Sequence, residues 1–455
     1  MNNQLFTDFN DVPSNQWKQK IQVDLKGKDY NDTLIWRTPE GIDVKPFYTN
    51  EDLKDIPKTP IKGEDWLINQ KVYVGDEKIA RKLALDYISR GAESIRFEIP
   101  AASTKIDMLL DGFPFDTTPL YIYCHFISES YIKELQAVLA SHKAKGYIVI
   151  DIIGNLALTG NWYISLAEDH SILESLLATK SDFPIALGID TALYQNAGAT
   201  TVQQLAYALG HANEYLNHFK ESIALSFVFD IAIGSNYFFE IAKIKALRVL
   251  WSTLAEAYSA TETCFIYATP SKRNKTIYDY NVNMLRTTTE CMSAVLGGAN
   301  VVSNTAYDGL FHKENEFGNR IARNQLLILK HESYFNLVAN PTEGTYYIES
   351  LTKQLAEKAL DIFKTIEKGG GFLSQLKEHT IQKKIKESAK EEQVLFDAND
   401  LVAIGTNKYP NPQDKIKHDL QLYPFVKTDV KKTLIEPIIE KRLAETLEKK
   451  RLENE

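Results

Sequence analysis

The feature that most constrains the fold is a recurrence. Short runs rich in β-branched and aromatic residues return along the chain with a helix-length segment between each pair. Eight such runs can be placed, at 94–99, 120–126, 147–153, 184–190, 225–231, 263–269, 300–306 and 335–340. Each is almost continuously apolar, as parallel strands covered on both faces must be. The intervening segments carry helical periodicity, most clearly 202–219, where Leu205, Ala208, Leu209, Ala212 and Leu216 share one stripe, and again in 236–258. No Gly-x-Gly-x-x-Gly follows any of the runs. The expected fold class is therefore α/β, a (β/α)8 TIM barrel rather than an open doubly wound sheet.

The flanks read differently. Residues 1–60 form an expected N-terminal arm, 61–368 the barrel, and 369–455 a C-terminal helical extension. Within the arm, Pro39 and Pro46 flank Gly41 and the alternating Ile42 and Val44, a turn-punctuated extended segment rather than a helix. Trp36, Phe47 and Tyr48 give it apolar surface with polar handles, which suits a segment lying either on its own domain or across a partner subunit. Gly369-Gly370-Gly371 breaks the last barrel helix. Beyond it, 434–455 reads as a charged amphipathic helix with Ile435, Ile438, Ile439, Leu443 and Leu447 on a narrow packed stripe.

Composition excludes several function classes. A chain of 455 residues, 44% apolar, can bury a large core, and its net charge of −8 is spread without a basic patch. Neither nucleic acid nor an anionic membrane is an expected partner. No basic residue precedes Lys18, which speaks against a secretory or Arg-rich transit leader. Cys124, Cys264 and Cys291 are odd in number and unclustered, read as reduced core thiols in a cytoplasmic setting, and no zinc spacing occurs.

A set of motifs then identifies a relationship. The block Arg37-Thr38-Pro39-Glu40-Gly41-Ile42-Asp43-Val44-Lys45-Pro46-Phe47-Tyr48-Thr49 resembles the methylmalonyl-CoA mutase family. So do Asp111-Gly112-Phe113-Pro114-Phe115-Asp116, Ala197-Gly198-Ala199-Thr200 and Gly234-x-Asn236-x-Phe238-x-Glu240-x-Ala242-Lys243. Arg286-Thr287-Thr288, Arg320-Ile321-Ala322-Arg323-Asn324, Gly344-x-Tyr346-Tyr347-x-Glu349 and Gly405-x-Asn407-Lys408-Tyr409 follow in the family's order. The resemblance implies isomerisation of methylmalonyl-CoA and succinyl-CoA with adenosylcobalamin. It also favours a subunit-contact role for the arm through Trp36, Arg37, Pro39, Val44, Pro46, Phe47 and Tyr48.

The family's catalytic groups are missing at the matching positions. Where the resemblance places a histidine that hydrogen-bonds the thioester carbonyl stands Leu193, which has no donor. Lys71 replaces a substrate-packing tyrosine and Val149 a substrate-binding amide, and only Ser271 survives of the segment after 263–269. No arginine occurs from Phe97 to Leu247, where a carboxylate clamp belongs, and the loop after 94–99 is cut to little more than 100–105. None of the nine histidines has Asp two positions before it, so the family's lower-ligand motif Asp-x-His-x-x-Gly is not found and a cobalamin-binding domain is not expected in this chain.

The expectation is thus a non-catalytic small (β) subunit of a heterodimeric mutase, with no catalytic, cofactor-binding or metal residue of its own. Adenosylcobalamin would sit in the partner large subunit. The alternatives are the barrel component of a split acyl-CoA mutase, or a stand-alone barrel enzyme using strand-end groups among His125, Asp151, Asp190, Asp230, Asn304 and Asn340. Each of these more often serves loop amides, and His125 more often packs as a core histidine. The basic loop Lys272, Arg273 and Lys275 reads as a solvated face, with an anionic partner the less common use.

Overall fold

A computed structural model describes residues 10, 12–61, 65–219, 225–427 and 431–455. Ahead of the barrel lie α1 (Ser14–Asp24), α2 (Tyr30–Leu34) and a two-stranded ladder of β1 (Trp36–Arg37) with β2 (Asp43–Val44). The barrel strands are β3 (Leu67–Tyr73), β4 (Ser94–Ile99), β5 (Leu120–Cys124), β6 (Gly146–Ile150), β7 (Ile185–Asp190), β8 (Phe227–Ile233), β9 (Phe265–Pro270) and β10 (Val301–Ser303). They pair in parallel in sequence order and close where β10 meets β3. Between them run α3 (Glu77–Ser89), α4 (Ile106–Leu110), α5 (Glu129–Ser141), α6 (Ile152–Thr159), α7 (Leu166–Ala178), α8 (Thr191–Ala197), α9 (Thr201–Phe219), α10 (Tyr237–Ala257), α11 (Val282–Gly297) and α12 (Glu316–Leu327). The (β/α)8 barrel expected from the recurrence is therefore present.

Seven of the expected strands occur close to their sequence positions, and one does not. Residues 335–340 form no strand; the missing barrel strand is β3, at the front. Its Asn69 and Lys71 point along the barrel interior while Ile68 and Val72 are fully buried towards the helices, so polar insertions hid the run. With β3 seated between β10 and β4 the barrel has no edge left for 335–340 to join. The expected run 147–153 is shortened too. The Asp151 carboxylate accepts from Gly154 N at 2.6 Å and caps α6, which turns Ile152 and Ile153 into the helix. Gly146 opens β6 at φ +126°, where a Cβ would fall 1.8 Å from Leu120 O, so no other residue fits there.

One core fills the space between barrel and helices. A second, smaller one fills the barrel itself, with Tyr121, Val149, Ala186, Val228, Tyr267 and Val301 at its centre. Outside the first ring, α13 (Tyr346–Lys368) packs across α9 and α10, fixed by a buried ion pair from Lys245 Nζ to Glu349 Oε1 at 2.7 Å. The arm lies on its own barrel. Ile42 and Val44 are buried in the main core, Trp36 packs on Phe239, and Tyr48 on Tyr347. Trp36, Arg37, Pro39 and Pro46 remain exposed, whereas Val44 has almost no surface left to offer a partner.

After α14 (Phe372–Lys377) and α15 (Thr380–Asp397), the expected helix 434–455 is corrected to α16 (Glu445–Glu453) alone. Residues 434–443 instead form an extended strap. The amides of Leu434 and Ile435 bond Gly160 O, Ile438 bonds Ala157 O, Lys441 bonds Asn196 O and Leu443 bonds Arg273 O. Pro437 and these long-range bonds together leave no i−4 ladder to build. Gly160, in the left-handed region, lets Ile435 O approach to where a Cβ would stand. The strap thus laces together the connections that follow β6, β7 and β9.

The strap is locked by a buried ion pair, Arg442 Nη1 to Glu448 Oε2 at 2.6 Å, with the side chains 5% and 0% exposed. Arg442 also donates to Pro424 O and Lys275 O, and Glu448 accepts from Ile277 N. Removing one partner strands the other charge without solvent. We expect Glu448→Ala to lose about 3–5 kcal/mol of stability in urea unfolding, with Leu447→Ala, on the exposed face, close to neutral.

Candidate functional site at the barrel mouth

Active groups of a (β/α)8 barrel sit at the C-terminal ends of its strands. Strand alternation sends Arg96 and Glu98 of β4 into that end of the barrel, facing Tyr123 of β5, His125 just beyond it, Asp230 of β8 and Tyr267 of β9. The Arg96 guanidinium donates from Nε to Glu98 Oε1 and from Nη1 to Asp230 Oδ1, both at 2.7 Å. Its plane lies 3.4 Å from the Tyr123 ring centroid and 4.8 Å from that of Tyr267. Lys71 Nζ and His125 Nε2 then reach the same Glu98 carboxylate at 2.9 and 2.6 Å. Tyr123 Oη donates to Asp230 Oδ1 at 3.1 Å, and Tyr267 Oη to Asn69 Oδ1 at 2.6 Å.

This cluster is saturated. Burial opposes ionisation of Glu98 most strongly, but Arg96, His125 and Lys71 outweigh it and hold the carboxyl well below the usual range. Arg96 therefore has no bidentate fork to offer a substrate carboxylate. Sequence reasoning singles out neither Arg96 nor Glu98, although their spacing of two within an apolar strand signals a pair facing one side.

The other strand-end candidates are structural. Asp151 caps α6 and also receives His211 Nε2 and Tyr215 Oη at 2.9 Å each. Asp190 caps α8 through Leu193 N at 3.1 Å. Asn304 bonds Ala322 O and Gln325, while Asn340 lies in a loop because its expected strand is absent. His125 is not the expected core histidine; its side chain is 54% exposed and leans on Glu98 because it directly follows β5 at the mouth. The positions matched to family catalytic groups are likewise occupied by packing. Leu193 and Val149 are buried, and Ser271 Oγ donates to Asn196 Oδ1.

The basic loop is corrected from a solvated face to an anchor. Arg273 is buried against Glu392 and Lys441 O, and Lys275 against Glu290 at 2.7 Å, leaving only Lys272 facing solvent, where it holds Glu440 of the strap at 2.9 Å. The strap itself crosses above these groups, with Glu440 also accepting from Asn196 Nδ2 at 2.8 Å.

Arg96→Met would leave Glu98 and Asp230 buried without their counter-ion, and we expect a loss of about 3–5 kcal/mol in urea unfolding. A second outcome concerns pH. Burial, reinforced by Asp230 and Asp151, raises the Asp190 carboxyl to about 7, against 3.8 for an ordinary aspartate. The folded chain keeps a proton that the unfolded chain has released, so this group lowers stability progressively as pH climbs from about 4 to about 7. Asp190→Asn keeps the capping oxygen, and we expect it to exceed the parent in stability at pH 8 and to match it at pH 4.

The sequence comparisons fit this fold and this site. The methylmalonyl-CoA mutase family profile matches residues 101–451. The chain is 32% identical over 444 residues to a methylmalonyl-CoA mutase small subunit of Porphyromonas gingivalis, covering 90% of this chain and 71% of that one. It is 29% identical over 440 residues to a methylmalonyl-CoA mutase of Rhizobium meliloti, covering 83% of this chain and only 61% of that protein. A small subunit of Streptomyces virginiae is 29% identical over 412 residues, covering 82% of this chain and 66% of the relative. With a profile match over most of its length and a relative 32% identical across nine-tenths of it, this chain belongs to the methylmalonyl-CoA mutase family.

Proposed function

We propose that this chain is the non-catalytic small subunit of a heterodimeric methylmalonyl-CoA mutase. The observation that carries the reading is the Arg96 cluster at the strand ends where barrel enzymes work, in which Glu98, Asp230 and His125 are paired with Arg96 or with one another. The relatives named as small subunits support it. In this reading the large subunit binds adenosylcobalamin and isomerises methylmalonyl-CoA to succinyl-CoA, while this chain stabilises it by contact. The exposed arm residues Trp36, Arg37, Pro39 and Pro46 belong to the proposed contact surface.

The barrel mouth of this chain does not fit a cobalamin. Its strand-end imidazole, His125, is engaged by Glu98, and His211 behind it by Asp151. The mouth that would face the corrin is filled and strapped. No helix among the described residues is long and apolar enough to cross a membrane. A cytoplasmic setting is part of the proposal, supported by three buried, unbridged cysteines.

The test is co-expression with the large mutase chain of the same cell, followed by size-exclusion chromatography and assay of each chain alone and together. We expect a 1:1 complex, with turnover of methylmalonyl-CoA only when the large chain is present. Turnover by this chain alone, or its failure to associate, would overturn the reading.

A further inference from the structure

The strap over the mouth is held firmly at both ends and loosely in between. At one end the amides of Leu434 and Ile435 bond Gly160 O, and at the other Arg442 is buried with Glu448. The charged contact between these ends, Lys272 Nζ to Glu440 Oε2 at 2.9 Å, reaches water, with side chains 57% and 32% exposed. An ion pair so placed adds little stability. Ile438 N on Ala157 O at 2.8 Å and Lys441 N on Asn196 O at 3.0 Å tie the backbone of this middle stretch down.

The Lys272 ammonium serves more than Glu440. It also feels the charge of Asp190, at the end of β7. Asp190 in turn faces Asp230 of β8, Asp151 beyond β6 and Glu440 of the strap, and the Tyr194 hydroxyl on α8 lies near it. Asp230 is held by Arg96, and Asp151 by His211 and Tyr215. Lys272 is thus the cation with a hold on both Asp190 and the strap. A second link runs through α8. Asp190 caps that helix through Leu193 N, and Asn196 at its far end donates from Nδ2 to Glu440 and accepts from Lys441 N. Charge appearing on Asp190 therefore acts on the strap through Lys272 and through α8.

We propose that residues 436–441 of the strap form a proton-sensitive latch, closed while Asp190 is neutral and Lys272 serves Glu440, and loosened when Asp190 is ionised, repels Glu440 and takes a share of the same ammonium. Opening moves Glu440 away and lets water reach the Asp190 carboxyl, so the open form holds that proton less tightly than the closed one. In the closed form burial, with Asp230, Asp151 and Glu440, raises the carboxyl to about 7. Opening thus releases a proton, grows more frequent as pH climbs towards about 7, and levels off above it, where both forms are ionised. The Gly160 bonds and the Arg442–Glu448 pair stay in place, so the strand ends of β7 and β9 are uncovered without unfolding the barrel. The proposal does not depend on the subunit reading.

The test is hydrogen–deuterium exchange of the full chain from pH 5 to pH 8. The Ile438 and Lys441 amides are followed in the parent and in Asp190→Asn under identical conditions, so that intrinsic exchange chemistry cancels in the ratio. We expect these amides to exchange faster than those of β6 at every pH, which marks local opening. The ratio of parent to Asp190→Asn should be close to one at pH 5, reach about tenfold by pH 7, the factor for one pKa unit between closed and open forms, and stay there at pH 8. Glu440→Gln keeps an oxygen for Asn196 and loses the repulsion, so its exchange relative to Asp190→Asn should not vary with pH. A parent ratio that stays at one throughout, strap amides that exchange only at the rate of β6, or a rise that Glu440→Gln retains in full would overturn the latch.

Discussion

The Arg96 guanidinium is the interaction on which the interior of this barrel depends. Arg96 joins two strands that are far apart in sequence by pairing Glu98 and Asp230, and it does so stacked between two tyrosine rings. Only a planar, always charged group can make two directed ion pairs at its edge and two ring contacts on its faces. A lysine could satisfy one partner. Such a cluster adds little net stability over an apolar filling, because Arg96, Glu98 and Asp230 have all left water, but it admits a single arrangement. What it decides is occupancy. Polar chemistry sits at the barrel mouth, as in an enzyme, but every group there is already spoken for by another.

The strap over the mouth follows the same logic. Its polar ends are fixed by cations that arise from the β9–α11 connection and from the strap itself, namely Arg273, Lys275 and Arg442, each buried with a carboxylate. Charges placed so deep hold a chain segment in one register, since any slip leaves an ion unpaired. The motifs shared with the mutase family serve comparable joints. Arg323 donates to Arg90 O, Lys243 to Gln195, Gln204 and Ala232 O, and Asn407 to Phe396 O and Leu401 O. A fold can be retained through such joints while the residues that do chemistry are replaced, which is why family membership alone does not settle activity.

Much of the architecture was legible because parallel strands and amphipathic helices leave local signatures. The runs at 94–99 and 184–190 and the helix around Leu205 and Leu216 are found where pattern placed them. The misses have one cause. β3 carries Asn69 and Lys71 because its inner face meets other polar side chains, and 434–443 is extended because its amides bond residues hundreds of positions away. In both places the partner is remote in sequence, and a period-based reading has no access to it.

The sequence by itself determined the barrel class and the family, since each rests on residue identity or local periodicity. Only the tertiary structure decided what the strand-end residues do. That Arg96 meets Asp230 across the barrel, that Asp151 and Asp190 are helix caps, and that the loop at Arg273 is an anchor rather than a solvated face all depend on which side chains closure brings together. Closing the barrel sets distances between strands that no local pattern records, and at those distances a charged residue becomes either a site or a brace.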